Sequence, residues 1–187
     1  MSTDNNGNWI PREKPPVPEA PKPTLPSDGI TERHRGRMWA IQLLFQRDFN
    51  DDGDLPKLME LFWVQEGLQK VPSNPSAKNP RLFAEELFLG TLEHLYDIDD
   101  TIISYARNWS LDRMGGIDRN ILRLAIYEFY HNQAVPPVTV VNEAIDLAKE
   151  FSGDDTAKFV NGILDRALKD LKRDLRAPGG SSTSEKN

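Results

Sequence analysis

The sequence contains no cysteine. Without it the chain can form no disulfide, no thiolate metal site and no cysteine nucleophile, and several classes of enzyme are excluded. The sequence also lacks any run of about 18 apolar residues, and its first residues do not have the basic and apolar layout of a secretory signal. We therefore expect a cytoplasmic protein with no membrane-spanning segment.

Catalytic motifs are equally scarce. There is no Gly-rich phosphate loop, no HExxH and no GxSxG. Glu128 and His131 have the Glu-x-x-His spacing of di-iron helical bundles, but such a site needs the motif twice. The other histidines, His34 and His94, have no Glu three residues before them. We therefore expect no enzymatic activity, no cofactor and no metal.

The 187 residues, 38% of them hydrophobic, suffice for one domain with a real core. Seven of the 14 prolines lie within residues 1–30. This composition predicts a disordered tail of polyproline character, which acts as a spacer or, alternatively, as a ligand of a proline-recognition domain. Residues 177–187 predict a second flexible tail, so that residues 31–176 form the domain.

Helical spacing of apolar residues predominates between the tails, and no stretch alternates long enough to predict a strand. The sequence predicts an all-α bundle, with Pro80 in the first turn of the third helix, Gly153 at the end of the sixth and a buried fifth helix. The seven predicted helices cover about 31–49, 55–68, 80–96, 98–108, 117–131, 138–151 and 155–175.

Charge is unevenly distributed along the chain. A net charge of −6 and a pI near 5.1 argue against nucleic-acid binding in general. Residues 31–47, however, contain four Arg and one Glu, whereas residues 48–112 contain five basic and thirteen acidic residues. Residues 82–100 hold six acids and no Lys or Arg, which indicates either a solvated face or a dock for a basic protein.

The run Arg33-His34-Arg35-Gly36-Arg37 opens the first predicted helix. Each cation there opposes the helix dipole at a cost of roughly 0.3 to 1 kcal/mol, so we expect the three Arg→Ala changes to leave the fold at least as stable. Cations that oppose the helix dipole without visible compensation indicate a functional role. The free backbone N–H groups in the first turn of the helix favour binding of a phosphate group. Arg33 and Arg37 share a face, and Gly36 admits close approach of another chain. The alternative is a solvated cluster paired with the acidic residues.

Asp155, Lys158 and Phe159 lie at the start of the seventh predicted helix. An acid at this position favours the helix dipole, which gives Asp155 a structural explanation. Phe159 either packs in the core or offers a stacking surface to an unpaired base. Spacing alone leaves both interpretations open.

Four segments together carry a resemblance to the NusB family of transcription antitermination factors. The resemblance extends over about residues 31–171. Three segments depart from the compact members of the family: the proline-rich extension at the start, the longer loop at 69–79 and the C-terminal tail. The resemblance implies two helical subdomains. The segments are RHRGRMWAIQLLFQ (33–46), IDRNILRLAIYEF (117–129), VPPVTVVNEAIDLAKEF (135–151) and KFVNGILDRAL (158–168).

The resemblance implies binding of boxA RNA in nascent ribosomal RNA leader transcripts, in complex with the ribosomal protein NusE. RNA polymerase, contacted indirectly, then reads through terminators. His34 replaces a basic residue of many members, which implies a weaker or pH-dependent RNA site. The implied RNA contacts are Arg33, His34, Arg35, Arg37, Asp155, Lys158 and Phe159.

The resemblance places Phe45 and Asp118 on the side that faces NusE, and it allows a homodimer when the protein is free. The same helical domain is similar to the N-terminal part of certain ribosomal RNA cytosine methyltransferases. Those enzymes need a further nucleotide-binding domain and a cysteine, and this sequence has no cysteine. A third interpretation is a protein-interaction module that uses only its acidic face.

Overall fold

The computed structural model describes residues 31–50, 53–67, 79–106, 109–132, 134–172, 174–176 and 178. The predicted tails and the loop at 69–79 lie almost entirely outside these residues. The described chain is all-helical, as predicted, and residues 111–113 add one 3₁₀ turn. Its helices are α1 (Glu32–Asp48), α2 (Leu55–Gln65), α3 (Pro80–Glu93), α4 (Leu95–Tyr105), α5 (Gly116–Tyr130), α6 (Pro137–Ser152) and α7 (Asp154–Asp170).

Several helix ends follow from local sequence. The hydroxyl of Thr31 accepts a hydrogen bond from the backbone N–H of His34 and caps α1. The side chain of Asn79 caps α3, and Pro80 occupies its first turn as predicted. Gly153 ends α6 with a φ of 93°, a conformation that favours glycine.

Several helix ends differ from the prediction. Helices α2, α3 and α4 end three residues early, and His94 alone separates α3 from α4, so that α4 begins at Leu95 rather than near residue 98. Helix α7 ends at Asp170, five residues before the predicted end. The carbonyl of Leu175 accepts a hydrogen bond from the N–H of Val138 at 3.1 Å, which satisfies a donor in the first turn of α6.

Helix α5 is the centre of the molecule, because every residue from 120 to 129 is buried. It packs against α1, α3, α4, α6 and α7. Helices α1 to α3 form one subdomain and α4 to α7 the other, joined where α1 and α3 contact α5. No helix among the described residues is long and apolar enough to cross a membrane.

Candidate nucleic-acid interface

The five residues of the arginine run point in different directions, because each residue of an α-helix is turned by about 100° from the one before. Arg33 is exposed and Arg35 is half-buried. His34, Gly36 and Arg37 are buried. Only two of the three arginines therefore reach the surface.

Arg33 and Arg37 lie over the same aromatic ring. Their guanidinium carbons lie 4.0 and 5.4 Å from the ring centroid of Phe83 on α3. The predicted shared face of the two arginines is therefore present, and it is directed toward α3. Arg33 combines this cation–π contact with exposure, so its N–H donors remain accessible to a phosphate.

Arg37 is 3% exposed and binds two carboxylates inside the protein. Its Nε and Nη2 donate to the two oxygens of Glu128 at 2.9 and 2.8 Å, and Nη1 donates to Glu143 at 3.3 Å. Burial disfavours the charged guanidinium, but the two carboxylates outweigh it and raise the pKa of Arg37. Replacement of Arg37 by Ala would leave the buried Glu128 unpaired, so at this position the structure predicts a loss of stability, in contrast to the expectation from the helix dipole.

His34 lies between two glutamates of α6. Its Nδ1 lies 3.1 Å from Glu143 and its Nε2 2.9 Å from Glu150. The hydrogen bond to Glu143 is the main cause of a raised His34 pKa; it and Glu150 outweigh the burial of the ring. Burial favours protonation of Glu143, but His34 and Arg37 lower its pKa below the usual value. His34, Arg37, Glu128, Glu143 and Glu150 thus form one ion-pair cluster that ties α1 to α5 and α6.

Gly36 does admit close approach of another chain, but that chain is α3. A Cβ at Gly36 would lie 2.7 Å from Cδ1 of Phe83 and 2.9 Å from the carbonyl oxygen of Pro80. The glycine is therefore explained by helix packing. The predicted RNA contacts of His34 and Arg37 stay untested, and their burial favours a positioning role.

The start of α7 presents a second polar group with an aromatic ring. Asp155 and Lys158 are exposed and form an ion pair at 3.1 Å. Phe159 is half-buried, and its ring centroid lies 5.6 Å from that of Trp109, with 57° between the planes. Phe159 thus packs partly in the core and is partly exposed, so the core role and the stacking surface left open by the sequence are both compatible with its position.

The start of α1 contacts α6 close to the corner between α6 and α7. Glu150, near the end of α6, holds His34 of the arginine run. Helix α7 begins at Asp154, only four residues after Glu150. The corner therefore joins the two groups of predicted contacts into one candidate surface.

Phe45 and Asp118 lie close together where α1 passes the start of α5. The ring of Phe45 packs so closely on Gly116 that a Cβ there would lie 3.0 Å from it. The same ring lies 5.1 Å from that of Phe49, which is 44% exposed. This aromatic pair gives the predicted partner side an apolar surface.

Asp118 is bound within the protein. Burial raises its pKa, although its carboxylate also accepts hydrogen bonds from Ser152 and Thr156 at the α6–α7 corner. Asp118 therefore connects the partner side to the candidate nucleic-acid surface.

The sequence did not reveal the carboxylates of the ion-pair cluster or the contact of Trp109 with Phe159. One signal was available, because Glu128 is a single acid in an otherwise apolar stretch of α5, and buried acids are paired. No local signal identifies Arg37 as its partner, 91 residues earlier.

Residues 34–169 match the model of the NusB family. The transcription antitermination protein NusB of Geobacter sulfurreducens is 39% identical over 139 residues, which are 74% of this chain and 95% of the relative. The structure of T. maritima NusB is 35% identical, covers 75% of this chain and 93% of its own, and superposes with a TM-score of 0.62.

A chain in the crystal structure of the antitermination factors NusB and NusE in complex with dsRNA is 26% identical, with a TM-score of 0.62. The alignment covers 74% of this chain and 96% of that one. The family match over residues 34–169 spans both subdomains and includes every predicted RNA contact except Arg33. The chain belongs to the NusB family.

Proposed function

We propose that this chain is a non-catalytic transcription antitermination factor that binds boxA-type RNA together with the ribosomal protein NusE. Relatives with this domain are named for transcription antitermination, and a structural neighbour was crystallised with NusE and RNA. The observation that carries the proposal is the bond of His34, the neighbour of exposed Arg33 in the arginine run, to Glu150 near the α6–α7 corner, after which Lys158 and Phe159 lie in the first turns of α7.

Within this proposal the residues of the surface have different roles. Arg33 and Arg35 bind phosphates, while His34 and Arg37 fix the direction of α1 from inside the protein. Lys158 supplies a further cation, and Phe159 supplies an aromatic ring on which an unpaired base stacks. Asp155 pairs with Lys158 and holds its ammonium group in place until RNA binds.

NusE would bind at the aromatic pair Phe45 and Phe49 beside Asp118. RNA polymerase would be contacted indirectly, through this complex, and the site of action would be the bacterial cytoplasm. A homodimer of the free protein would compete with NusE if it used the same aromatic pair.

The test is a titration of fluorescent single-stranded boxA-type RNA, with and without NusE, at several salt concentrations. The Arg33→Ala/Arg35→Ala variant is compared with Lys57→Ala/Lys169→Ala, which removes two exposed cations from α2 and from the last turn of α7. We expect the arginine variant to bind more weakly and to lose about 0.7 from the salt slope of log K per phosphate contact. Equal binding by the two variants would contradict the proposal.

A further inference from the structure

Trp109 is a half-exposed aromatic residue in the connection between α4 and α5. It is 48% exposed, although one part of its ring packs on Phe159 of α7. The guanidinium carbon of Arg113 lies 5.5 Å from its ring centroid. Trp109 is thus flanked by a second aromatic ring and by a cation.

The connection around Trp109 is held in place by contacts on both sides. The N–H of Trp109 donates to the carbonyl of Ala106, and Nη1 of Arg119 donates to the carbonyl of Leu111 at 3.2 Å. Nη1 of Arg166 on α7 donates to the carbonyl of Tyr105 at 2.7 Å. These bonds tie described residues on both sides of Trp109 to neighbouring helices, Tyr105 to α7 and Leu111 to α5.

Tyr105, Trp109 and Asp118 contact α7 in reverse order along the chain. Tyr105 contacts Arg166, Trp109 contacts Phe159, and Asp118 hydrogen-bonds to Thr156 in the first turn. Trp109 therefore lies directly beside the start of α7. It continues the candidate surface away from the arginine run.

We infer that Trp109 and Phe159 form one stacking platform for an unpaired RNA base, and that Arg113 binds the adjoining phosphate. This inference rests on the proposed function and extends it to two residues, Trp109 and Arg113, that are not among the predicted RNA contacts. Aromatic rings interleaved with cations are typical of surfaces that bind single-stranded nucleic acid, because stacking tolerates any base while cations bind the backbone.

Packing alone does not explain Trp109. A ring that served only to fill the gap between the connection and α7 would be covered, yet about half of Trp109 remains in contact with solvent. Tryptophan offers the largest flat apolar area of any side chain, and a stacked base would cover its free face. A protein partner could also cover it, and the experiment separates the two.

The experiment compares Trp109→Leu, Trp109→Phe and the unmodified chain in the same titration of single-stranded boxA-type RNA. Leu keeps an apolar side chain against Phe159 but removes stacking, whereas Phe keeps both. We expect about five- to hundredfold weaker binding for Trp109→Leu and a much smaller change for Trp109→Phe. Thermal unfolding of each variant shows that it is folded.

Two further readouts separate a stacking role from a structural one. RNA should quench tryptophan fluorescence in the unmodified chain, and Trp109→Phe should lose that quenching. Arg113→Ala should lower the salt slope of log K by about 0.7, whereas Trp109→Leu should leave the slope unchanged.

Equal RNA affinity of folded Trp109→Leu and Trp109→Phe would overturn the platform, as would a loss confined to NusE binding. Failure of the unmodified chain to bind RNA would instead contradict the proposed function.

Discussion

Arg37 and Glu128 link α1 to α5 through a bidentate ion pair inside the protein. Both side chains are almost fully buried, so each charge depends on the other for its solvation. A pair of this kind adds little net stability compared with apolar residues, but removal of one partner is costly. The cost of removing one partner can be measured with single substitutions.

We expect Arg37→Ala to lower the free energy of unfolding by roughly 3 to 5 kcal/mol, because it leaves Glu128 charged and unpaired. The matched control is Arg33→Ala, which loses an exposed cation–π contact worth about 0.5 to 1 kcal/mol. Urea unfolding followed by circular dichroism measures both. Equal losses for the two arginines would contradict the assignment of Arg37 to the interior.

His34 should make stability depend on pH. The pKa of His34 is raised in the folded state, chiefly by Glu143, so its contribution is complete below the unfolded pKa of about 6.5 and is lost as pH rises through the folded pKa. The pKa of Glu143 is lowered, so its own contribution persists well into acid. The difference in stability between the unmodified chain and His34→Gln should therefore be largest near pH 6 and shrink toward pH 9.

His131→Gln is the matched control for this measurement. Burial, assisted by the neighbouring His94, lowers the pKa of His131, so this histidine disfavours folding as pH falls. Its stability difference should therefore change with pH in the opposite direction. A His34→Gln difference that is flat from pH 5 to 9 would show that the imidazole is not held by the two glutamates.

At the residue scale, helical periodicity correctly predicted that Arg33 and Arg37 share a face. It could not predict that Arg37 continues into the core, because Glu128 and Glu143 are distant in sequence. The arginines that oppose the dipole at the start of α1 therefore have two different environments. Arg37 is stabilised by buried carboxylates, whereas Arg33 is exposed over the ring of Phe83.

At the scale of the helices, the contact between α1 and α3 depends on the missing side chain of Gly36. The ring of Phe83 and the backbone of Pro80 occupy the space that a Cβ would need. A backbone carbonyl cannot move aside as a flexible side chain can. The packing of α1 on α3 therefore fixes where Arg33 is presented.

We expect Gly36→Ala to destabilise the fold by about 1 to 3 kcal/mol through overpacking between α1 and α3. Gly162 also lies within a helix, but nothing lies within 4 Å of the position of its Cβ. Gly162→Ala should therefore stabilise the fold by about 0.5 to 1 kcal/mol. Thermal unfolding compares the two, and shifts of the same sign would count against the close contact.

Helix ends with local causes could be predicted from the sequence, and those with distant causes could not. Pro80 and Gly153 act through their own backbone, so their positions were predicted. Beyond the end of α7, the N–H of Val138 donates to the carbonyl of Leu175, 37 positions later in the sequence. Apolar periodicity continues past that end and carries no information about it.

At the scale of the whole molecule, part of the uneven charge distribution is neutralised by ion pairs between helices. Asp48 of α1 binds Arg119 and Arg123 of α5 and so helps to join the two subdomains, and Asp99 of α4 also binds Arg123. The acidic stretch at 82–100 is therefore neither wholly solvated nor wholly free for a partner. The arginine run likewise divides between the core and the candidate surface, which leaves a small basic site on an acidic protein.

We propose that the starts of α1 and α7, on either side of the end of α6, form one RNA surface. The most direct test is a map of backbone amide chemical shifts of the isotope-labelled full chain during titration with single-stranded boxA-type RNA. We predict that the largest changes lie at residues 32–36 and 154–160, with a further change at the indole N–H of Trp109. Changes confined to α2 and the first turns of α3, with none at the corner, would contradict the account.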